Sequence, residues 1–222
     1  MADYCEPSCR ARGIPKVTST YRQALSSSEA ADGLWCQAVA MQALTNLSIN
    51  IRKDQIQKFV PVIPHCLNRL WVRGEVNLNA LRLLVNLSCC PDMVPYLLGN
   101  KSVSGLLRIL DTDREEVLIR AVTWILCTTS AVDALNLTYD RISEHNLLSG
   151  YILRRSDEVV DPFRNPSHTL YYSIYGPKGR EELETQAKHL TNHSNKDVAR
   201  LLKTLANVIF FILELPMLDS YC

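Results

Sequence analysis

"ALTNLSIN" (residues 43–50) and "LLVNLSCC" (residues 83–90) repeat one pattern forty residues apart: Leu44 answers to Leu84, Asn46 to Asn86, Leu47 to Leu87 and Ser48 to Ser88. Each copy sits in a run whose apolar residues recur at helical spacing and sets one asparagine among them. Fixed-period self-similarity of this size is the mark of a stacked repeat architecture, in which each unit buries its apolar face only against its neighbours.

Further copies follow. "ALRLLVNLS" (80–88) aligns with "LIRAVTWIL" (118–126) when Arg82 is laid on Arg120, and "VARLLKTLA" (198–206) places Arg200 eighty residues beyond Arg120. That gap holds two periods, so a degenerate repeat is expected between them, giving about four to five units. Between copies the chain keeps one grammar. A polar turn (50–55, 111–116) leads into short apolar helices at 56–66, 94–98 and 103–110. Pro61, Pro64, Pro91 and Pro95 fall where such helices start or bend; proline suits a first turn and breaks an interior. No stretch alternates strictly as a strand would. The expected fold is all-α, a right-handed α-solenoid. A forty-residue unit of two short helices and one longer one is the armadillo or HEAT pattern.

"NALRLLVNLSCCPDMVPYLL" (79–98), "SVSGLLRILDTDREEVLIRAVTWIL" (102–126) and "TLYYSIYGPKGREELETQAKHLTNHSNKDVARLLKTL" (169–205) carry a narrower likeness. The chain resembles the vertebrate mitochondrial and X-linked armadillo-repeat proteins and the related receptor-associated sorting proteins, over roughly residues 35–212. The resemblance implies a non-enzymatic adaptor linked to mitochondrial positioning or receptor sorting. Relatives carry an N-terminal membrane anchor that this sequence does not show, and a shortened isoform is one account of that. The family's nuclear-import cousins set a tryptophan one turn before each groove asparagine. Here Gln42 and Arg82 hold those places, which disfavours basic nuclear-localisation peptides as partners.

Within each long helix the polar positions share a face. Asn79, Arg82 and Asn86 stand at i, i+3 and i+7, while Leu81, Leu84, Val85 and Leu87 cover the packing faces. Stacking the long helices would align Gln42, Asn46, Arg82, Asn86, Arg120, Trp124, Arg200 and Thr204 as a ladder along a concave wall, the surface solenoids use for binding. Asparagine can pair with the backbone of an extended peptide. Arginine forks onto carboxylates or phosphates, and tryptophan is a frequent interface anchor. The expected partner is therefore an extended protein segment, acidic or of mixed charge. The alternative is that the asparagines bond within the stack and the arginines form a solvated face.

Bulk properties bound the rest. A net charge of +1 gives no case for nucleic acid. Several of the eight cysteines (Cys36, Cys66, Cys89, Cys90, Cys127) lie in or beside apolar helices, where a reduced thiol acts as a small hydrophobe. Residues 1–30 contain no secretory apolar core. A reducing compartment is expected, cytoplasmic and possibly peripheral at the mitochondrial outer membrane.

The apolar run 205–218 is too short for a bilayer span, so no transmembrane span is expected. It is read as a buried terminal helix. The competing function is a membrane-surface or dimerising protein that uses this run as an interfacial element. Residues 1–31 read as a mobile tail, 32–216 as the solenoid with an irregular loop at about 154–167, and 217–222 as a second tail. The whole stretch after Ala131 to Pro166 looks irregular.

No catalytic set, metal site or cofactor is indicated. His189 and His193 form an i, i+4 pair without a third ligand or an adjacent glutamate motif, and Cys5 and Cys9 lack a second pair at zinc spacing. "GPKGRE" (176–181) fits neither a Walker loop nor a dinucleotide fingerprint and reads as a turn before a helix. Asn46-Leu47-Ser48 and Asn86-Leu87-Ser88 match the glycosylation pattern, but both fall mid-helix. Oligomeric state is left open.

Overall fold

The polar turns and prolines divide the chain as the repeat grammar requires. The computed structural model describes residues 31–148, 166–190, 195–196, 198–201 and 203–204, with backbone alone for 31–37, 144–148 and 166. The expected tail at 1–31 apart from Ala31, which opens a helix, the tail at 217–222, the loop at 154–167 up to residue 165, the apolar run 205–218, His193, Cys5 and Cys9 lie outside the described residues.

Helix α1 (Ala31–Leu47) opens the described chain. A 3-10 turn at Lys53–Gln55 follows, with Gln55 Oε1 accepting the Arg52 amide at 3.1 Å. Then come α2 (Ile56–Phe59), a 3-10 turn at Val60–Val62, and α3 (Ile63–Asn68). Pro61 and Pro64 occupy first turns, where a missing N–H costs nothing.

A two-stranded antiparallel hairpin follows, β1 (Trp71–Val72) and β2 (Glu75–Val76). Its two-residue turn has φ of 53° at Arg73 and 85° at Gly74, the paired positive values that match strand twist. The sequence reading found no strand here, because two residues per strand are too few to alternate. Apart from this hairpin and one isolated bridge between Lys101 and Thr169, the regular structure of the described residues is helical, and the all-α class stands.

Asn77 then caps α4 (Leu78–Ser88), its side chain accepting the amides of Asn79 and Ala80 at 3.1 and 3.3 Å. A 3-10 turn at Pro91–Met93, α5 (Val94–Leu98) and a further 3-10 turn at Leu106–Leu110 lead to α6 (Glu115–Ala134). Glu115 and Glu116 in its first turn favour the positive end of the helix dipole. By length and composition alone α6 could cross a bilayer. In the fold it packs on α4 and on Leu106–Leu110.

Beyond α6 the chain is more regular than expected, since α7 (Tyr139–Leu148) fills part of the stretch read as irregular and rests on α5. Farther along come α8 (Leu170–Tyr175) and α9 (Pro177–Leu190), and then helical residues at 198–201 and 203–204. Of the stretch 176–181, read as a turn before a helix, Gly176 alone is the corner between α8 and α9, and residues 177–181 already lie in α9. A Cβ on Gly176 would strike the Tyr172 carbonyl, and one on Gly179 the Ser173 carbonyl. Only glycine lets the two helices turn so tightly.

The long helices stack in order: α1 packs on α4, and α4 on α6. Between and behind them runs one continuous core, including Leu44, Phe59, Ile63, Leu81, Leu84, Leu87, Val117, Ala121 and Ile125. α8 packs on α5, and α9 on Leu106–Leu110. Backbone bonds pin this junction: Leu170 N–H donates to Asn100 O at 2.8 Å, and Ser102 N–H to His168 O at 2.7 Å. The Ser102 and Ser173 hydroxyls meet at 2.5 Å.

Candidate partner-binding wall

Three long helices laid side by side carry the polar positions of the repeat, and their side chains report how the helices align. On α1, Gln42 and Asn46 are exposed one turn apart, with Gln42 Nε2 donating to Asn46 Oδ1 at 3.2 Å. On α4, Asn86 donates to the Thr45 carbonyl at 2.9 Å and to Ser48 Oγ at 3.1 Å. Both acceptors sit where α1 runs out. A helix C-terminus leaves carbonyls without intrahelical partners, and Asn86 satisfies one of them from the next unit. The half-buried asparagine thus acts as a rivet between repeats.

Arg82, one turn before Asn86, reaches the other way. Its Nη2 lies 2.6 Å from Glu116 Oε1 in the first turn of α6, and Arg120 Nη2 approaches the same oxygen at 3.1 Å. Arg120 Nε adds a longer contact at 3.4 Å. Two guanidiniums therefore share one carboxylate oxygen. Hydrogen bonds from Arg82 first, and then from Arg120, hold the Glu116 carboxyl below the usual glutamate range. The Arg82 and Arg120 side chains remain about one-third exposed and Glu116 about half. The cluster carries a surplus positive charge at the surface.

The sequence-derived ladder fares unevenly. Gln42, Asn46, Arg82 and Asn86 fall on neighbouring helices joined through side-chain bonds, and Arg120 shares a carboxylate with Arg82. Trp124 does not join them. It is 1% exposed, among the largest fully buried side chains, so it cannot offer a flat surface to a partner. Periodicity put it in register with Asn86, but the indole has turned into the core. Its N–H has no acceptor among the described residues.

Arg200 and Thr204 are exposed and helical, and Thr204 Oγ1 donates to the Arg200 carbonyl at 3.2 Å. Their segment meets α6 directly, because Asn195 Nδ2 donates to Glu115 Oε2 at 3.1 Å. Residues eighty positions apart are thus in contact.

Two features escaped the sequence reading. Glu116 was assigned to a polar turn, although its place four residues before Arg120 is the spacing of a helical ion pair. The cysteines are not uniformly buried: Cys66 is, and burial pushes its thiol well up, but Cys89 is exposed and Cys127 half-buried. Among the described residues no group of three or more metal-ligating side chains converges.

Nearest-neighbour stacking of helical triplets, cross-linked by side chains from successive long helices, defines a helical-repeat protein. The Armadillo-like family model matches residues 32–149, more than half of the sequence, and the chain belongs to that family. It is also similar to a designed armadillo repeat protein of known structure, at 15% identity and a TM-score of 0.42, over 88% of this chain and 99% of that one. No curated protein matches it.

Proposed function

We propose that the protein is a non-enzymatic protein–protein scaffold that holds an extended, acidic or mixed-charge partner segment along the wall formed by its long helices. The observation that carries this reading is the Arg82–Glu116–Arg120 cluster. Two arginines from successive units stand at one surface spot with a single carboxylate between them. A guanidinium carries five donors. The contacts to Glu116 engage one nitrogen of Arg82 and two of Arg120, so a partner carboxylate or phosphate has donors to meet and net charge to attract it. Gln42, Asn46, Arg200 and Thr204 extend the wall with exposed polar groups. Asn86 contributes by fixing the spacing of the helices, and Trp124 has no part in contact.

The solenoid is read as four units, the low end of the four-to-five range. α8 and α9 supply the first two helices of the last unit and the helical residues 198–201 and 203–204 belong to the third, with α7 as an insertion. The resemblance to mitochondrial and receptor-sorting relatives points to a cytoplasmic adaptor, peripheral at the mitochondrial outer membrane. The test compares the proteins retained from a cell lysate by the wild-type chain and by an Arg82→Ala/Arg120→Ala double variant. Specific loss of partners from the variant, at an unchanged melting temperature, is expected. Identical retention by both chains would overturn the reading.

A further inference from the structure

On the face of α4 that carries Arg82 and Asn86, the next position one helical turn on is Cys89. On the face of α6 that carries Glu116 and Arg120, two further turns lead to Cys127. The two sulfurs lie 3.8 Å apart across the seam. We propose that Cys89 and Cys127 form an oxidant-responsive modification site, which hydrogen peroxide converts to a disulfide tying α4 to α6.

Geometry favours closure. A disulfide needs its sulfurs about 2.05 Å apart, so from 3.8 Å the two must approach by about 1.75 Å. Cys89 is the C-terminal cap residue of α4, its N–H donating to Val85 O at 3.0 Å, so the approach falls to rotation of its side chain. Cys127 lies within α6 and holds its place.

The two thiols differ in their access to solvent. Cys89 is exposed, open to a small oxidant. Cys127 is half-buried, and burial together with the neighbouring thiol pushes it up to about 11, so it stays protonated at neutral pH. The Cys89 thiolate attacks peroxide: an S–O bond forms, the O–O bond breaks, and the departing hydroxide takes a proton to become water. The Cys127 sulfur then attacks the sulfenic sulfur. An S–S bond forms, the S–O bond breaks, and the leaving hydroxide takes the Cys127 proton as a second water. Two thiols are oxidised and one peroxide is reduced to two waters.

The bond would close a loop spanning residues 89–127 and fix α4 against α6 two turns from the arginine cluster. The site stands on the thiols alone and does not depend on the scaffold reading.

The test uses the full, reduced chain. It is exposed to a few equivalents of hydrogen peroxide, blocked with iodoacetamide and digested without reductant for mass spectrometry. A linked peptide joining Cys89 to Cys127, two hydrogens lighter and reversed by dithiothreitol, is expected, with a rise in Tm of several degrees. A Cys90→Ser variant should keep the link. In Cys127→Ser the link should vanish, and Cys89 should accumulate several-fold more dimedone-reactive sulfenic acid. A Cys89–Cys90 bond, a link to any other cysteine, or overoxidation of Cys89 with no cross-link would overturn the proposal, and each is read on the wild-type chain without reliance on a variant's folding.

Discussion

A single asparagine shows how a repeat sequence carries information that its period alone does not. Asn46 and Asn86 occupy the same place in their copies, yet Asn46 is exposed beside Gln42 while Asn86 binds the end of the preceding helix. The difference is one of position in the stack: Asn86 has a described long helix before it, and that helix ends at the right height. Replacing Asn86 by alanine removes both bonds and leaves the Thr45 carbonyl without this donor. A loss of about 1–2 kcal/mol is expected, a fall of about 3–6 °C in Tm for a chain of this size. Asn86→Asp should be worse at neutral pH, because a carboxylate cannot donate and would face a carbonyl oxygen. A urea melt of the two variants checks the order, and Asp equal to or better than Ala would refute the rivet role. Gly179 makes the opposite kind of case. Alanine normally helps a helix by about 1 kcal/mol over glycine. Here its methyl would collide with the Ser173 carbonyl and crowd that of Ile174, so Gly179→Ala should destabilise by about 1–3 kcal/mol. Thermal melting decides the sign.

Among elements, α6 concentrates what was and was not legible. Its apolar register was readable from "LIRAVTWIL", and so was the equivalence of Arg120 with Arg82, because both follow from a spacing of about forty residues. The side on which Trp124 would settle was not readable: a helix of 20 residues presents several apolar stripes, and neighbours from distant sequence decide which one is innermost. The Cys89–Cys127 approach was half legible: the register that lays Arg82 on Arg120 also lays Cys89 on Cys127, but which way each side chain turns depends on how the two helices pack. Glu116 was locally readable as a helical ion-pair partner of Arg120, but its bond to Arg82 arises only when α4 and α6 pack. That bond gives a pH prediction. Hydrogen bonds from both arginines lower the folded carboxyl, so its contribution is fully present at neutral pH and is lost as the pH falls through the carboxylate range. Carboxyl NMR titration should place the Glu116 midpoint below that of an ordinary glutamate. Arg82→Ala should move it upward by more than Arg120→Ala, since Arg82 makes the shorter bond. Equal midpoints in all three proteins would show that the arginines do not hold the carboxylate in solution. The exposed position limits the effect on stability, because solvent screens such pairs.

For the whole molecule, linear stacking means that each unit is held only by its neighbours, and local changes should spread no further than the next contact. The junction between the third unit and α8 tests this. It rests on a short antiparallel bridge between Lys101 and Thr169, two flanking backbone bonds and the Ser102–Ser173 hydroxyl contact. Thr169 also caps α8 by accepting the Tyr172 amide at 3.2 Å. Ser102→Pro deletes the N–H that Ser102 donates to His168 and the hydroxyl together, while leaving the α1–α4–α6 stack untouched. Native-state hydrogen exchange should then show amides of α8 and α9 exchanging at least tenfold faster, because opening that region no longer breaks the same bonds. Amides of α4 should keep their rates, since the long helices lean on one another and not on this bridge. Uniform acceleration along the chain would mean that the protein unfolds as one unit and that nearest-neighbour stacking does not govern its stability. Unchanged exchange in α8 and α9 would place the binding of this region elsewhere, in the apolar contact of α8 with α5 and of α9 with Leu106–Leu110.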